Sequence, residues 1–229
     1  DEKIAPVASS VQGVRKMLQS QRVDWEMRSS WLDLAAFWRT SKSILFRPSD
    51  VFSALNYDAG IGNALVYLLI YGSLGQIIGR YWITLLGIHY GIIESNALDN
   101  TVHFAGTILL TPVVFLALIF VAAGLVHLVL RILLANRRPF STTFQVMAYV
   151  SGATSMVNVI PFLGRIVMPL WALVLYFVGL SKAHQTSKAK VFFALFLPLL
   201  ILGLLALGVI LAIAVSHVLE FLEVLGNPL

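Results

Sequence analysis

The chain has 229 residues, of which 59% are hydrophobic and 12% are charged, and its mean hydropathy is +0.86. A soluble domain averages about 45–50% apolar and about 25% charged residues, so this composition excludes an ordinary soluble protein and favours an integral membrane protein. The net charge is +5 and there are no cysteines, which excludes disulfides, zinc–thiolate sites and cysteine nucleophiles.

The first predicted element is an amphipathic helix over residues 29–46. Trp31, Leu34, Ala35 and Trp38 recur at steps of three and four, which places them on one helical face. Basic residues flank this face, and tryptophan beside basic residues is typical of the headgroup region of a membrane. We therefore predict that Trp31 and Trp38 lie at the membrane interface. The alternative is a helix that packs on the membrane bundle.

The ends of this helix can also be predicted. Ser29 and Ser30 are candidate N-caps, because a serine hydroxyl accepts a hydrogen bond from a first-turn amide, and Asp33 follows Ser30 by three residues as an acidic variant of a capping box. Pro48 then opens a second, short helix through Leu55, since proline is tolerated at the first helical position, and this helix places Val51, Phe52 and Leu55 inward.

Five apolar segments then follow, each long enough or nearly long enough to cross a bilayer. A transmembrane helix needs about 20 residues, with a range of about 17–25. The predicted spans run from Ile61 to Ile83 or a little beyond, within His103 to Leu134, from about Thr143 to Ile160, from about Arg165 to Ser181 and from Val191 to Ser216. The third and fourth are short, so the hairpin over residues 143–181 either spans the membrane or is re-entrant. The predicted fold is all-α: a polytopic membrane protein with five transmembrane helices and an N-terminal cytoplasmic amphipathic helix.

Basic residues are distributed unevenly over the predicted loops. Outside the long N-terminal region, one side of the membrane receives six lysines and arginines, whereas the other receives two, Arg80 and Arg165. The positive-inside rule then puts the N-terminus in the cytoplasm. We predict a cytoplasmic or interfacial region over residues 1–60, a five-helix membrane domain over residues 61–218 and a short extracytoplasmic tail over residues 219–229.

A stripe of polar side chains lies on the third predicted span. Ser151, Thr154, Ser155 and Asn158 lie at i, i+3, i+4 and i+7, so a helix places all of them on one face. Such side chains either hydrogen-bond neighbouring helices or line a hydrated groove for ions or lipid headgroups. Asn158 is expected to need the most partners, because its amide carries two donors and two acceptor lone pairs.

The turn after this polar stripe contains Pro161, Gly164 and Arg165, which complete the candidate helix-packing or polar-groove site. Arg165 has three possible roles: it contacts lipid phosphate, caps helix carbonyl groups, or snorkels toward the interface. In the first span, Gly75 and Gly79 form a small-xxx-small pattern, which indicates close approach of another helix within the chain or across a dimer seam.

Groups for catalysis or metal binding do not come together in the sequence. No acidic residue lies in the middle of a predicted span, and His103, His127 and His217 lie near span ends. Motifs for a serine nucleophile elbow, a phosphate-binding loop or a zinc protease do not occur. We therefore expect no enzyme activity, no cofactor, no metal and no nucleic-acid partner.

The order of several short motifs resembles the Yip family domain. The motifs, over residues 24–215, are Asp24-Trp25-Glu26, Trp38-Arg39-Thr40, Arg47-Pro48-Ser49, His127-Leu128, Arg138-Pro139-Phe140, Tyr149 with Ser151, Ile160-Pro161-Phe162-Leu163-Gly164, Trp171, Val178-Gly179-Leu180 and His184. The resemblance implies a multi-span membrane protein of a family named for interaction with Ypt/Rab GTPases, with roles in membrane trafficking and shaping in eukaryotic members. The N-terminal motifs look like those of bacterial members, which implies the bacterial cytoplasmic (inner) membrane.

The expected function is a non-catalytic scaffold or adaptor that organises partner proteins or the bilayer. The expected partners are the lipid bilayer and either another membrane protein or a second copy of the chain. The alternative is a channel or transporter for ions or small solutes, or a lipid-moving protein, that uses the polar stripe. Flux measurements in proteoliposomes would separate these functions.

Overall fold

A computed structural model describes residues 23–92, 97–161 and 163–226, without the side chains of residues 97–100, 103 and 219–226. Within these ranges the fold is all-α, as predicted, and no strand is present. Four helices are long and apolar enough to cross a membrane by length and composition: Gly62–His89, Phe104–Ile132, Leu163–His184 and Lys188–Val218. The predicted N-terminal region before Val23 and the end of the predicted tail lie outside the described residues.

The N-terminal segment packs on the membrane helices. Helix α1 (Leu34–Phe46) begins after Asp33, whose carboxylate accepts a hydrogen bond from the Ala36 backbone N–H at 2.9 Å. The prediction of Ser29 or Ser30 as the N-cap is therefore wrong, because Asp33 is the residue that reaches an unpaired amide of the first turn. The same backbone hydrogen bond is the main reason why the pKa of the Asp33 carboxyl is lowered.

Helix α2 (Pro48–Ala54) follows α1 after one residue. Proline fits there because its missing N–H would have no partner in the first turn of a helix. Phe52 and Leu55 are buried, as predicted. In the next turn the Tyr57 hydroxyl donates to the Phe52 carbonyl oxygen at 2.8 Å, and burial raises the pKa of this hydroxyl well above its ordinary value.

The first membrane helix, α3 (Gly62–His89), begins where it was predicted to begin and continues beyond Ile83 as far as His89. Arg80, Tyr81 and Trp82 lie just before Ile83, and the helix continues past them, because this composition marks an interface without breaking a helix. Between Leu68 and Gly72 the helix widens into a π-helical turn. Tyr71 of this turn is fully buried, so the turn faces the bundle.

Helices α4 (Ala97–Ile132) and α7 (Lys188–Gly226) lie at the edge of the bundle and correspond to the predicted second and fifth spans. Near its start, α7 buries apolar residues such as Val191. Every residue of α7 from Leu199 to Val218 is exposed. In a membrane, such a surface faces lipid or another membrane helix.

Helix α5 (Phe140–Ser155) lies at the centre of the bundle. Every residue from Thr142 to Ser155 is buried, and α1, α3, α4 and α6 (Met168–His184) pack around it. A 3-10 turn over Met156–Val159 continues it. This helix is not among the four candidate spans. Since protein surrounds it, its sequence does not need the uniform apolar character of a lipid-facing helix.

Two hydrogen bonds show how far α5 and its 3-10 turn extend beside α3. The Gln145 side-chain amide donates to the Tyr57 carbonyl oxygen at 3.1 Å, just before α3 begins. The Trp82 indole N–H donates to the Val159 carbonyl oxygen at 3.1 Å, far along α3. The segment from Gln145 to Val159 therefore runs parallel to α3 over roughly 20 Å, at the helical rise of about 1.5 Å per residue.

An aromatic cluster joins the N-terminal segment to α3 and α5. Its members are Trp25, Phe37, Tyr67, Tyr71 and Tyr149, all of them buried. The ring centroids of Phe37 and Tyr71 are 3.7 Å apart, and those of Tyr67 and Tyr149 are 5.1 Å apart. The Trp25 indole N–H also donates to the Asn63 carbonyl oxygen at 2.9 Å. Each aromatic pair contributes about 0.5–1.5 kcal/mol beyond the area it buries, so the cluster holds residues 23–46 firmly on the membrane helices.

Candidate helix-packing and polar-groove site

The predicted polar stripe lies along α5 and its 3-10 turn, and all four of its residues are buried. The Ser151 hydroxyl lies 2.7 Å from the Tyr176 hydroxyl of α6. The Ser155 hydroxyl accepts a hydrogen bond from the Gln76 amide of α3 at 2.8 Å. These two bonds connect α5 to a helix on each side, which is how polar side chains stabilise helix contacts in membranes.

The other two residues of the stripe make no hydrogen bond to a neighbouring helix. The Thr154 hydroxyl donates to the Val150 carbonyl oxygen of its own helix at 2.8 Å, so it is satisfied locally. Asn158 is 8% exposed, yet its amide takes part in none of the hydrogen bonds formed among the described residues. The expectation that Asn158 needs the most hydrogen-bond partners is therefore not met among the described residues. Asn158 borders a groove, so a ligand there can reach its unused donors and acceptors.

Glycines allow the chain to pack closely around the stripe. A Cβ atom at Gly75 would overlap the Ser155 carbonyl group, and one at Gly79 would lie 3.0 Å from the Asn158 Cβ atom. The small-xxx-small pattern of α3 is therefore used within the chain. On the other side of Asn158, a Cβ atom at Gly164 would collide with the Asn158 backbone, so this turn also needs glycine.

The predicted turn residues lie at the end of the hairpin between α5 and α6. Pro161 is partly buried and Gly164 is buried, whereas Arg165 is exposed. Arg165 belongs to a π-helical turn, Leu163–Val167, that leads into α6. Phe162, one of the residues that carry the family resemblance, lies outside the described ranges.

Two grooves open beside the stripe at the Pro161 end of the bundle. The inner groove, about 360 Å³, lies between α3, α5 and α6 and is lined by Gln76, Asn158 and Arg165 among others. The outer groove, about 580 Å³, lies between α3 and α4 and is lined by Gln76, Arg80 and Arg165 together with apolar residues of α4. Because Gln76 and Arg165 line both grooves, the two are neighbours that share a polar wall.

The two tryptophans predicted at the membrane interface face away from the bundle. Trp31 is 61% exposed and lies in the turn before α1, and Trp38 is 65% exposed and lies within α1. The Arg28 guanidinium packs over the Trp31 ring at 4.7 Å from its centroid. The opposite face of α1 buries Phe37 and Ile44 against the bundle. Contact of these tryptophans with the membrane surface stays a prediction.

A buried polar bridge at the other end of α5 was not predicted. The Thr143 hydroxyl lies 2.8 Å from His127 Nδ1 and 2.9 Å from His184 Nε2, so it joins α4, α5 and α6. His184 is fully buried. In the part of the chain that the structure describes, no three metal-ligating side chains come together. The bridge residues are far apart in the sequence, so their spacing carries no signal of this contact.

Gln76 and Arg80 are further site residues that were not predicted. Both lie on α3 and line the outer groove. Their spacing of four places them on one helical face, and a glutamine in an uncharged membrane segment is unusual enough to be noticed. The contact of Gln76 with Ser155, in contrast, depends on how α3 and α5 pack and leaves no trace in the spacing.

The profile of one protein family matches the chain. It is described as the Yip1 domain and covers residues 42–210, which is more than half of the chain. Comparison with curated proteins and with solved structures finds no match. The matched range contains the whole polar stripe, the Pro161 turn and the residues that line both grooves.

Proposed function

Since the chain is a multi-pass membrane protein that belongs to the Yip1 domain family, we propose that it acts as a non-catalytic scaffold or adaptor that organises partner membrane proteins or the bilayer. The observation that carries this proposal is the packing of the closed end of α5, Thr142–Ser151. There Ser151 bonds to Tyr176, and the aromatic cluster fills the space between α1, α3 and α5. A channel needs a polar path through the bundle, so this packing favours a scaffold.

We place five helices across the membrane, with α5 and its 3-10 turn as the third. The bonds from Gln145 to Tyr57 and from Trp82 to Val159 support this crossing, because they extend the segment along most of a membrane thickness of about 30 Å. Pro161 would then lie at the opposite membrane face, which favours a spanning hairpin over a re-entrant one.

We place the N-terminus in the cytoplasm of a bacterium and the chain in its inner membrane. Arg138 lies 3.8 Å from Asp58, and the Lys190 ammonium donates to the Leu134 carbonyl oxygen at 3.4 Å, so the basic loops gather beside the N-terminal segment. The positive-inside rule assigns such an end to the cytoplasm. Residues 1–60 would then be cytoplasmic or interfacial, residues 61–218 membrane-embedded and residues 219–229 extracytoplasmic.

A reporter fusion tests this orientation. A fluorescent protein that matures only in the cytoplasm, fused after Leu229, should stay dark, because an odd number of crossings separates the two ends. The same reporter placed in the basic loop after Gln185 should be bright and serves as the control for expression. A bright fusion at Leu229 would contradict either the five crossings or the orientation.

The surface that we assign to a partner is the exposed part of α7. Helix α7 buries Leu195 against the bundle, but its later apolar residues are exposed. Its surface beyond Leu195 can therefore contact another membrane helix. Small residues favour such contacts, and nothing lies within 4 Å of a Cβ atom placed at Gly203 or Gly208. We propose that a helix of another membrane protein, or of a second copy of the chain, packs there.

Photo-crosslinking in native membranes tests the scaffold role. The chain has no cysteine, so a thiol-reactive photo-crosslinker can be placed at a single new cysteine. Gly208→Cys should give discrete protein adducts, whereas Leu170→Cys on the exposed face of α6 should give lipid adducts and few protein adducts. Lipid adducts alone at both positions would contradict a scaffold that binds partner proteins through α7.

Flux measurements test the rival functions with the same purified protein. Proteoliposomes should show no ion or solute flux and no lipid scrambling above empty vesicles. If flux occurs, and Asn158→Leu abolishes it without lowering the melting temperature, transport through the polar stripe replaces the scaffold. The expected result is no flux for the parent and for the variant.

A further inference from the structure

Two arginines from distant parts of the chain converge on the outer groove. Arg80 lies on α3 and Arg165 lies on the turn before α6, and both line this groove. Neither forms an ion pair with any carboxylate that the structure describes. They are also the two basic residues on the side of the membrane that the positive-inside rule leaves poor in positive charge. Two cations without a described counter-charge at one groove favour an anionic ligand.

Side-chain amide groups continue the row of hydrogen-bond donors from the two arginines into the inner groove. Gln76 lines both grooves, and Asn158 lines the inner groove together with Arg165. More than nine-tenths of Asn158 is buried, and its amide has no hydrogen-bond partner in the ranges described. An amide N–H in this position can donate to an anionic oxygen, as the arginine guanidinium groups can.

The other wall of the outer groove is apolar and long. It is formed by one face of α4, where Val102, Gly106, Leu110, Val114 and Leu118 recur at steps of four. The groove volume of about 580 Å³ is in the range of ligand sites, which hold about 300–1,000 Å³. A ligand that fits must therefore combine an anionic head with an apolar chain.

We propose that the outer groove binds an anionic phospholipid from the leaflet at the Pro161 end of the bundle. Arg80 and Arg165 bind the phosphate, to which guanidinium groups donate paired hydrogen bonds, and Gln76 and Asn158 donate to its remaining oxygens. One acyl chain lies along α4. A zwitterionic lipid carries its own ammonium, so its attraction to the two arginines is weaker. This site is independent of the scaffold role, because it uses neither α7 nor a protein partner.

A lipid-binding titration tests the charged end of the site. The full chain in mixed micelles is titrated with phosphatidylglycerol that carries a fluorescent acyl chain, and with phosphatidylcholine of the same chains. The parent should bind phosphatidylglycerol at least about ten-fold more tightly, and the double variant Arg80→Gln/Arg165→Gln should lose this preference. Arg137→Gln removes the charge of an exposed arginine at the opposite end and should keep it. No preference in the parent, or an equal loss in both variants, would overturn the proposal.

A second pair of variants tests the apolar end and separates a lipid from a free anion. Gly106 lines the outer groove and Gly124 does not, yet nothing lies within 4 Å of a Cβ atom at either glycine of α4. Gly106→Leu should therefore keep at least the parental melting temperature and bind phosphatidylglycerol at least about ten-fold more weakly, whereas Gly124→Leu should bind like the parent. If inorganic phosphate displaces the lipid and Gly106→Leu has no effect, the groove is a site for a small anion and the lipid proposal fails.

Discussion

The two ends of α5 use similar polar side chains in opposite ways. At the closed end, Thr143 joins two histidines and Ser151 bonds to Tyr176, so their hydroxyl groups are used in packing. At the open end, which we define as Thr154–Arg165, Asn158 has no described partner and lines the inner groove, and Arg165 lines both the inner and the outer groove. Polar residues inside a membrane bundle therefore do not by themselves indicate a pathway. What matters is whether the polar atoms are enclosed by protein, as the Thr142 and Tyr149 hydroxyl groups are even without a described partner, or lie beside a groove, as Asn158 does.

The substitution with the largest expected effect on stability tests whether residues 23–46 pack as part of the closed end. Trp25→Ala should lower the free energy of unfolding in detergent by about 3–5 kcal/mol, because it leaves a cavity in the aromatic cluster. Trp38→Ala should change it by less than about 0.5 kcal/mol, because Trp38 is exposed. Chemical denaturation followed by circular dichroism measures both. Equal effects would show that residues 23–46 are not part of the closed end.

The next effect tests the close approach of α3 and α5 between the two ends. Gly75→Ala should destabilise the protein by about 1–3 kcal/mol, because the new methyl group overlaps the Ser155 backbone. Gly203→Ala on the exposed helix α7 should be neutral or stabilising, since alanine is favoured over glycine in a helix by about 1 kcal/mol. Thermal unfolding in detergent distinguishes them. Stabilisation by both substitutions would contradict the packing of α5 on α3.

A smaller effect compares one polar residue from each end. Ser151→Ala removes a hydrogen bond between two helices and should cost about 0.6–2 kcal/mol. Asn158→Ala removes no described hydrogen bond and should lower the melting temperature less. The donor and acceptor count of Asn158 alone predicts the opposite order. If Asn158→Ala is the more damaging substitution, the open end is a packing site after all.

The smallest effect concerns pH and the start of α1. Backbone N–H groups of Ala36 and Ser29 hold the pKa of Asp33 below its ordinary value. A lowered pKa means that the ionised carboxylate stabilises the fold above the ordinary aspartate pKa of about 3.9, and that this stabilisation is lost as the pH falls through the lowered value. The melting-temperature difference between the parent and Asp33→Asn should therefore shrink below about pH 4. A difference that grows in acid would contradict this capping role.

Much of the fold follows from short-range patterns. Long apolar segments predict α3, α4, α6 and α7, and the repeat of 3.6 residues predicts that the polar stripe lies on one face. Helix ends are less predictable, because a cap depends on which side chain reaches a free amide, as Asp33 does in place of Ser30. Local spacing also cannot show that α5 is surrounded by protein.

The sequence predicted only those residues of the candidate site that lie on α5 and in the turn before α6. Asn158, Gly164 and Arg165 are close in the sequence, so the turn brings them together. Gln76 and Arg80 come from a helix about 80 residues earlier, and only the packing of α3 against α5 places them beside the stripe. A pattern within one helix identifies a polar face, but it does not identify the partners that occupy that face.

The most direct test of the two ends is the reactivity of single cysteines along the stripe. The chain has no cysteine, so Ser151→Cys, Thr154→Cys, Ser155→Cys and Asn158→Cys can each be treated with a water-soluble maleimide in proteoliposomes. We expect the three positions that line the inner groove to react and Ser151→Cys to remain unlabelled, because Ser151 packs against Tyr176. If Ser151→Cys reacts as fast as Asn158→Cys, water reaches the whole polar stripe, which would contradict the packing of the closed end.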